Sequence, residues 1–209
     1  MYVQYGCSFV GCPTEWQNFD SSFTLKWERI PLIGRAYTKN ARRFPTNVMP
    51  GDIVKGLPVP EGVCHGIFAS HVLEHLPLED FHKALDNTIR ILRPGGIFRV
   101  IVPDLEWAAR EYIRRLDEHD SSANEFLLRE TCLGREKRDK GLAALLWRWL
   151  TTSEHQWMWD APSLRKALEA HGFKMIRSCN FGDCEDPIFS LVEAKGRFAN
   201  AVAIEARRL

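Results

Sequence analysis

Apolar residues fall into two spacings along this chain: short β-branched or aromatic runs ended by turn residues, and longer stretches that repeat every three to four positions. Tyr2 to Tyr5 is a short strand pattern stopped by Gly6, and Trp16 to Asp20 alternates as a second. Val48 to Ile53 reads as a third strand, with Asp52 near its end, and Val63 to Ala69 as a fourth that leads into Ser70. After Pro77, Leu78, Phe81, Leu85, Ile89 and Leu92 share one helical stripe, and Pro94-Gly95-Gly96 marks its end. Ile97-Phe98-Arg99-Val100-Ile101-Val102 is β-branched and bounded by turn residues, the profile of an interior strand. Asp104 is placed to cap a helix running through Trp107 and Ile113. Asp160-Ala161-Pro162 opens another, with Leu164 and Leu168 on one face and Gly172 at its end. Phe173 to Cys179 and Ala199 to Ala206 read as the last two strands, whereas residues 21–47 show no convincing period and read as a long loop or a poorly formed helix.

Two strands joined through a helix need a right-handed crossover, so their carboxyl ends open on one edge of a parallel sheet, where ligands bind in open α/β folds. The stretch from Cys64 to Asp104 is such a unit, and its polar residues His71, Glu74, His75 and Asp104 follow its strands. The pattern predicts one α/β domain over residues 1–209. Residues 118–159 are expected as a helical lid or insertion, because a polar stretch there is followed by an apolar one with Trp147 and Trp149.

Composition narrows the function classes. The 209 residues carry a net charge of +1, which argues against a surface that neutralises many phosphates, so no nucleic-acid partner is expected. No apolar run approaches the roughly 20 residues of a membrane helix, and the first residues lack the pattern of a secretory signal, so a cytoplasmic protein without membrane insertion is expected. The six cysteines contain no C-x-x-C pair and read as free thiols rather than zinc ligands.

Several motifs then converge. The glycine-containing first turn, Asp20, Asp52 followed by Leu57-Pro58, Phe68-Ala69-Ser70-His71-Val72-Leu73-Glu74-His75-Leu76, Arg93-Pro94-Gly95-Gly96 and Val102-Pro103-Asp104 together resemble class I S-adenosylmethionine-dependent methyltransferases. The likeness is to the small bacterial type-11-like branch associated with sugar and cell-surface polysaccharide genes, and it spans Tyr2 to about Phe181. It implies a Rossmann-like, doubly wound sheet of about seven mostly parallel strands with an antiparallel last strand at one edge. It also implies S-adenosylmethionine as cofactor, with Gly6, Cys7 and Ser8 in the first turn, Asp20 at the ribose, Asp52, Ile53 and Leu57 near the adenine, and Ala69, Ser70 and His71 on the other side. Two departures from the family pattern stand out: Ser8 replaces a common glycine, and Asp20 follows Gly6 too closely for a full intervening helix.

The chemistry implied is in-line attack on an activated methyl group, O-methylation of a small molecule or saccharide being the leading reading. His71, His155 and Asp104 are the candidate bases. A non-catalytic scaffold or partner subunit of the same fold, and a nicotinamide-dependent oxidoreductase, are the alternatives; the missing G-x-G-x-x-G weakens the latter. His71, Glu74 and His75 also resemble the metal-binding Glu-x-x-Glu-His segment of ubiquinone-pathway and small-RNA terminal methyltransferases. The first position here is His, and no metal is assigned. Trp147, Trp149, Trp157 and Trp159 serve either packing or a flat substrate such as a sugar ring, and a homodimer is allowed.

Overall fold

The computed structural model describes residues 1–9, 11–31, 34, 43–134 and 154–209. The strands are β1 (Tyr2–Tyr5), β2 (Gln17–Asp20), β3 (Val48–Pro50), β4 (Cys64–Ser70), β5 (Leu92–Pro103), β6 (Phe173–Ser178) and β7 (Ala201–Arg208). They form one sheet in the order β3-β2-β1-β4-β5-β7-β6, parallel from β3 through β5, with β7 antiparallel to both neighbours. The last strand is therefore interior rather than at the edge. Val202, Ala203, Ile204 and Ala206 bury both of its faces, while β6 takes the edge with exposed Lys174 and Met175.

The helices are α1 (Phe23–Glu28), α2 (Leu78–Ile91), α3 (Leu105–Asp117), α4 (Ala123–Glu130) and α5 (Ala161–Ala170). Helix α1 sits in the stretch that lacked a period; Ser22 starts it by accepting the Leu25 N–H. β3 is shorter than its pattern because Asp52 turns the chain, accepting the Val54 N–H at 3.0 Å. Arg93 to Gly96 does not lie outside the strands. It forms a bulge within β5, between the pairs Cys64/Leu92 and Gly66/Ile97. Of the expected insertion at 118–159, α4 packs on α3, with the Arg115 guanidinium 3.9 Å from the Phe126 ring centre. The Trp147 and Trp149 segment lies outside the described residues.

The two faces of the sheet are covered differently. On one, α2 and α5 bring Phe81, Leu85, Ile91, Leu164 and Leu168 against Val3, Ile67, Phe98, Val100 and Ile204. On the other, Phe68, Ile97, Ile101 and Ala203 are covered by Phe189 and Val192 from the connection at 179–200, between β6 and β7. That connection is anchored by the fully buried Arg99 of β5. Its guanidinium donates to Glu193, to Glu205 at 2.8 Å, and to the backbone carbonyls of Asn180 and Asp183 at 2.8 Å each.

Candidate functional site

Tyr5 of β1 pairs with Ala69 of β4, so Gly6, just past β1, and Ser70, the last residue of β4, lie side by side at the sheet's carboxyl edge. Gly6 has φ +67°, and a Cβ there would come within 2.3 Å of Val72 Cγ2, so no other residue fits this turn. Ser8, where the resembling family commonly has glycine, keeps a left-handed φ of +53°. Its N–H donates to Asp20 Oδ2 at 2.9 Å, and the Ser22 N–H donates to Oδ1 at 2.9 Å. Asp20 thus fastens the first turn to the end of β2 through both oxygens. Each oxygen keeps a further lone pair.

Gly6, Cys7 and Ser70 border a shallow hollow, partly open to solvent. Val192, Ala194 and Arg197, from the 179–200 connection, close its far wall. The Ser70 hydroxyl is buried without a hydrogen-bond partner among the described residues. Burial pushes the Cys7 thiol above its ordinary range, so it stands here as a neutral wall residue.

The other expected cofactor residues separate into two groups. Asp52 is partly exposed beside β3, with Lys55 3.6 Å from its carboxylate. Ile53, Leu57 and Ala69 are buried in the helix-covered core, where their side chains pack.

His71, directly after β4, has φ +53° and donates from Nε2 to the Arg197 carbonyl at 2.8 Å. Its Nδ1 lies 3.5 Å from Oε1 of Glu74, which is fully buried. His75 Nε2 approaches the same oxygen at 3.9 Å, and His155 packs edge-on against His75. Burial lowers the His155 pKa, the nearby Glu74 carboxylate only partly opposing it. Two of the three expected bases, His71 and His155, are thus gathered round one carboxylate. Asp104 is apart from them: it caps α3, accepting the Glu106 N–H at 2.8 Å, and its neighbour Leu105 donates to the Trp159 carbonyl. Trp159 is core, stacked on Phe81 at 4.1 Å, while Trp157 is exposed.

The wall residues Val192, Ala194 and Arg197 escaped the sequence reading, since nothing periodic runs through 179–200. The signal available was the length of that connection, punctuated by Pro187 and Gly196.

The rim, the strand order and the acid closing β2 define a class I S-adenosylmethionine-dependent methyltransferase. A family model described as "Methyltransferase domain" matches residues 13–178, and the chain belongs to that family. A structure of an S-adenosylmethionine-dependent methyltransferase from Thermotoga maritima, described as a possible histamine N-methyltransferase, aligns with a TM-score of 0.53 at 17% identity, over 100% of this chain and 82% of that one. An S-adenosylmethionine-dependent methyltransferase from Archaeoglobus fulgidus aligns with a TM-score of 0.51 at 14% identity, over 99% and 85%. At these identities the likeness is one of fold. A comparison with curated proteins finds no match.

Proposed function

We propose that the enzyme moves the methyl group of S-adenosylmethionine to a hydroxyl of a small molecule or saccharide, with the cofactor seated along the rim from Asp20 through Gly6 to Ser70. The observation that carries this reading is the joined pair of Ser8 and Asp20: a serine held in a glycine-like conformation, its amide fixed on the carboxylate that closes β2. The lone pairs left on Asp20 suit two ribose hydroxyls, and Asp52, in the turn after β3, would meet the adenine amine. The unpartnered Ser70 hydroxyl and the Gly6 turn border the methionine end.

The cofactor supplies an activated methyl group when bound. The protein then has to hold the acceptor oxygen in line with that carbon and keep water away, and orientation alone is worth about 7–11 kcal/mol in well-aligned systems. A hydroxyl acceptor also needs a base, which typically adds about 10² to 10⁴ in rate. We assign that role to His71 because its Nε2 touches the wall of the hollow through Arg197. The base role uses the other tautomer, with Nδ1–H turned to Glu74 and the Nε2 lone pair released from the Arg197 carbonyl towards the acceptor. Glu74 Oε1, 3.5 Å from Nδ1, faces that ring nitrogen and would orient it. His155, packed edge-on against His75, and Asp104, engaged as a cap, are the weaker assignments.

The test is incubation with S-adenosylmethionine and a panel of sugars, phenols, amines and thiols, following S-adenosylhomocysteine release and locating the new methyl group by NMR. Oxygen methylation of a hydroxyl acceptor, reduced at least about 100-fold by His71→Ala, is the expected result. Transfer to nitrogen or sulfur alone would overturn the acceptor assignment. Full turnover in His71→Ala would remove its role as base.

A further inference from the structure

Glu74 combines complete burial with two carboxylate oxygens that have no hydrogen bond among the described residues. An ionised carboxylate in that setting costs several kcal/mol unless a positive charge meets it. The imidazoles at 3.5 and 3.9 Å are further away than the about 2.7–2.9 Å of a charge-assisted hydrogen bond. His75 donates from Nδ1 to the Glu154 carbonyl at 3.1 Å, which fixes its tautomer and leaves the Nε2 lone pair turned towards Glu74. Metal-bound histidines are held by the same kind of outer hydrogen bond. His155 adds a buried Nδ1 without a hydrogen-bond partner among the described residues. One donor atom from each of Glu74, His75 and His155 lies within 4.8 Å of the other two. The backbone sets this meeting independently of the side chains, because the Gln156 and Trp157 N–H groups both donate to the Glu74 carbonyl, at 2.7 and 3.2 Å.

We propose that Glu74, His75 and His155 bind one divalent transition-metal ion, Zn²⁺ foremost. Two imidazole nitrogens and one carboxylate oxygen suit zinc and its neighbours, whereas Mg²⁺ and Ca²⁺ favour sites built from oxygen. Bonds of about 2.0–2.2 Å in a tetrahedron put ligand atoms roughly 3.3–3.6 Å apart, so the ion draws the three donors inward by about 1 Å. It supplies the charge Glu74 lacks and fastens the segment at 154–157 to the loop after β4. The site stands on these side chains alone and does not depend on which acceptor is methylated.

The test takes the full chain, strips it with a chelator, and dialyses it against Zn²⁺, with elemental analysis and melting temperature as readouts and Co²⁺ as a spectroscopic probe. The expected result is one Zn²⁺ per chain, a raised melting temperature, and visible Co²⁺ absorption from a site of low coordination number. Glu74→Gln and His155→Ala should each weaken Zn²⁺ binding by more than about 100-fold, beyond the roughly 10–100-fold lost with an outer partner. Stripped Glu74→Gln should melt no lower than stripped wild type, since it removes a buried charge, and this separates lost binding from lost folding. His82→Ala is the control, because His82 and His171 form a 2.8 Å pair backed by Asp86 that offers zinc another place. Absence of stoichiometric Zn²⁺, or binding that survives Glu74→Gln and disappears with His82→Ala, would overturn the proposal.

Discussion

One face of the sheet is covered by two regular helices and the other by a connection that is mostly turns, and the side chains beneath them differ accordingly. Under α2 and α5 the buried residues are almost all apolar, since a helix satisfies its own backbone and needs only an apolar partner surface. Under the turns the sheet presents Gln4, Asn18, Arg99 and Glu205, all buried. Gln4 donates to the Gly11 carbonyl and to Asn18, and Asn18 donates to the Pro13 and Trp16 carbonyls at 3.0 Å each. Arg99 does the same for Asn180 and Asp183. A cover without regular structure leaves carbonyls unpaired, and the sheet supplies the donors. That cover also forms the far wall of the candidate cofactor site, so its attachment bears on function in a way the helical face does not.

Arg99→Met breaks this arrangement most severely. It leaves Glu193 buried without its cation and Glu205 with Arg177 alone, and a loss of about 3–5 kcal/mol is expected in urea unfolding. Affinity for S-adenosylhomocysteine should fall with it, because Val192, Ala194 and Arg197 ride on the released connection. Leu85→Ala on the helical face should cost about 2–5 kcal/mol by opening a cavity, yet change cofactor affinity little. If the two variants lost affinity equally, the faces would not differ as argued. Gln4→Leu removes a donor from Gly11 and Asn18 and should cost about 1–3 kcal/mol. The smallest effect is expected at the α5 cap, where Asp160→Ala should cost about 0.5–2 kcal/mol. The Ser163 hydroxyl and amide hold the Asp160 carboxyl below its ordinary range. Its contribution should therefore be complete above the ordinary aspartate pKa of about 3.9 and fade as pH falls through the lowered native value, which unfolding curves at several pH values would follow.

The helical face was legible because its residues obey a period: Leu78, Phe81 and Leu85 announce α2, and Asp160-Ala161-Pro162 announces α5. Gly6, Asp20, Ser70 and His71 were legible as a rim because each ends or directly follows a readable strand. Ile53, Leu57 and Ala69 were named with them, but their side chains turned inward, a distinction that strand ends do not carry in sequence. The far wall was not legible, since turns at 187–198 have no period and their anchor, Arg99, sits in an otherwise apolar strand as though it were an exception. The meeting of Glu74 with His155 was likewise hidden, because two backbone hydrogen bonds between distant segments create it.

The claim on which most depends is that Asp20 holds the cofactor's ribose while fastening the first turn. Calorimetric titration of S-adenosylhomocysteine into wild type and Asp20→Asn, with melting temperature recorded for both, tests it directly. Saturable binding to one site in the wild type is expected, weakened about 10- to 100-fold in Asp20→Asn, in line with about 1.5–3 kcal/mol for hydrogen bonds to a charged group. Equal affinity in two folded proteins would contradict it.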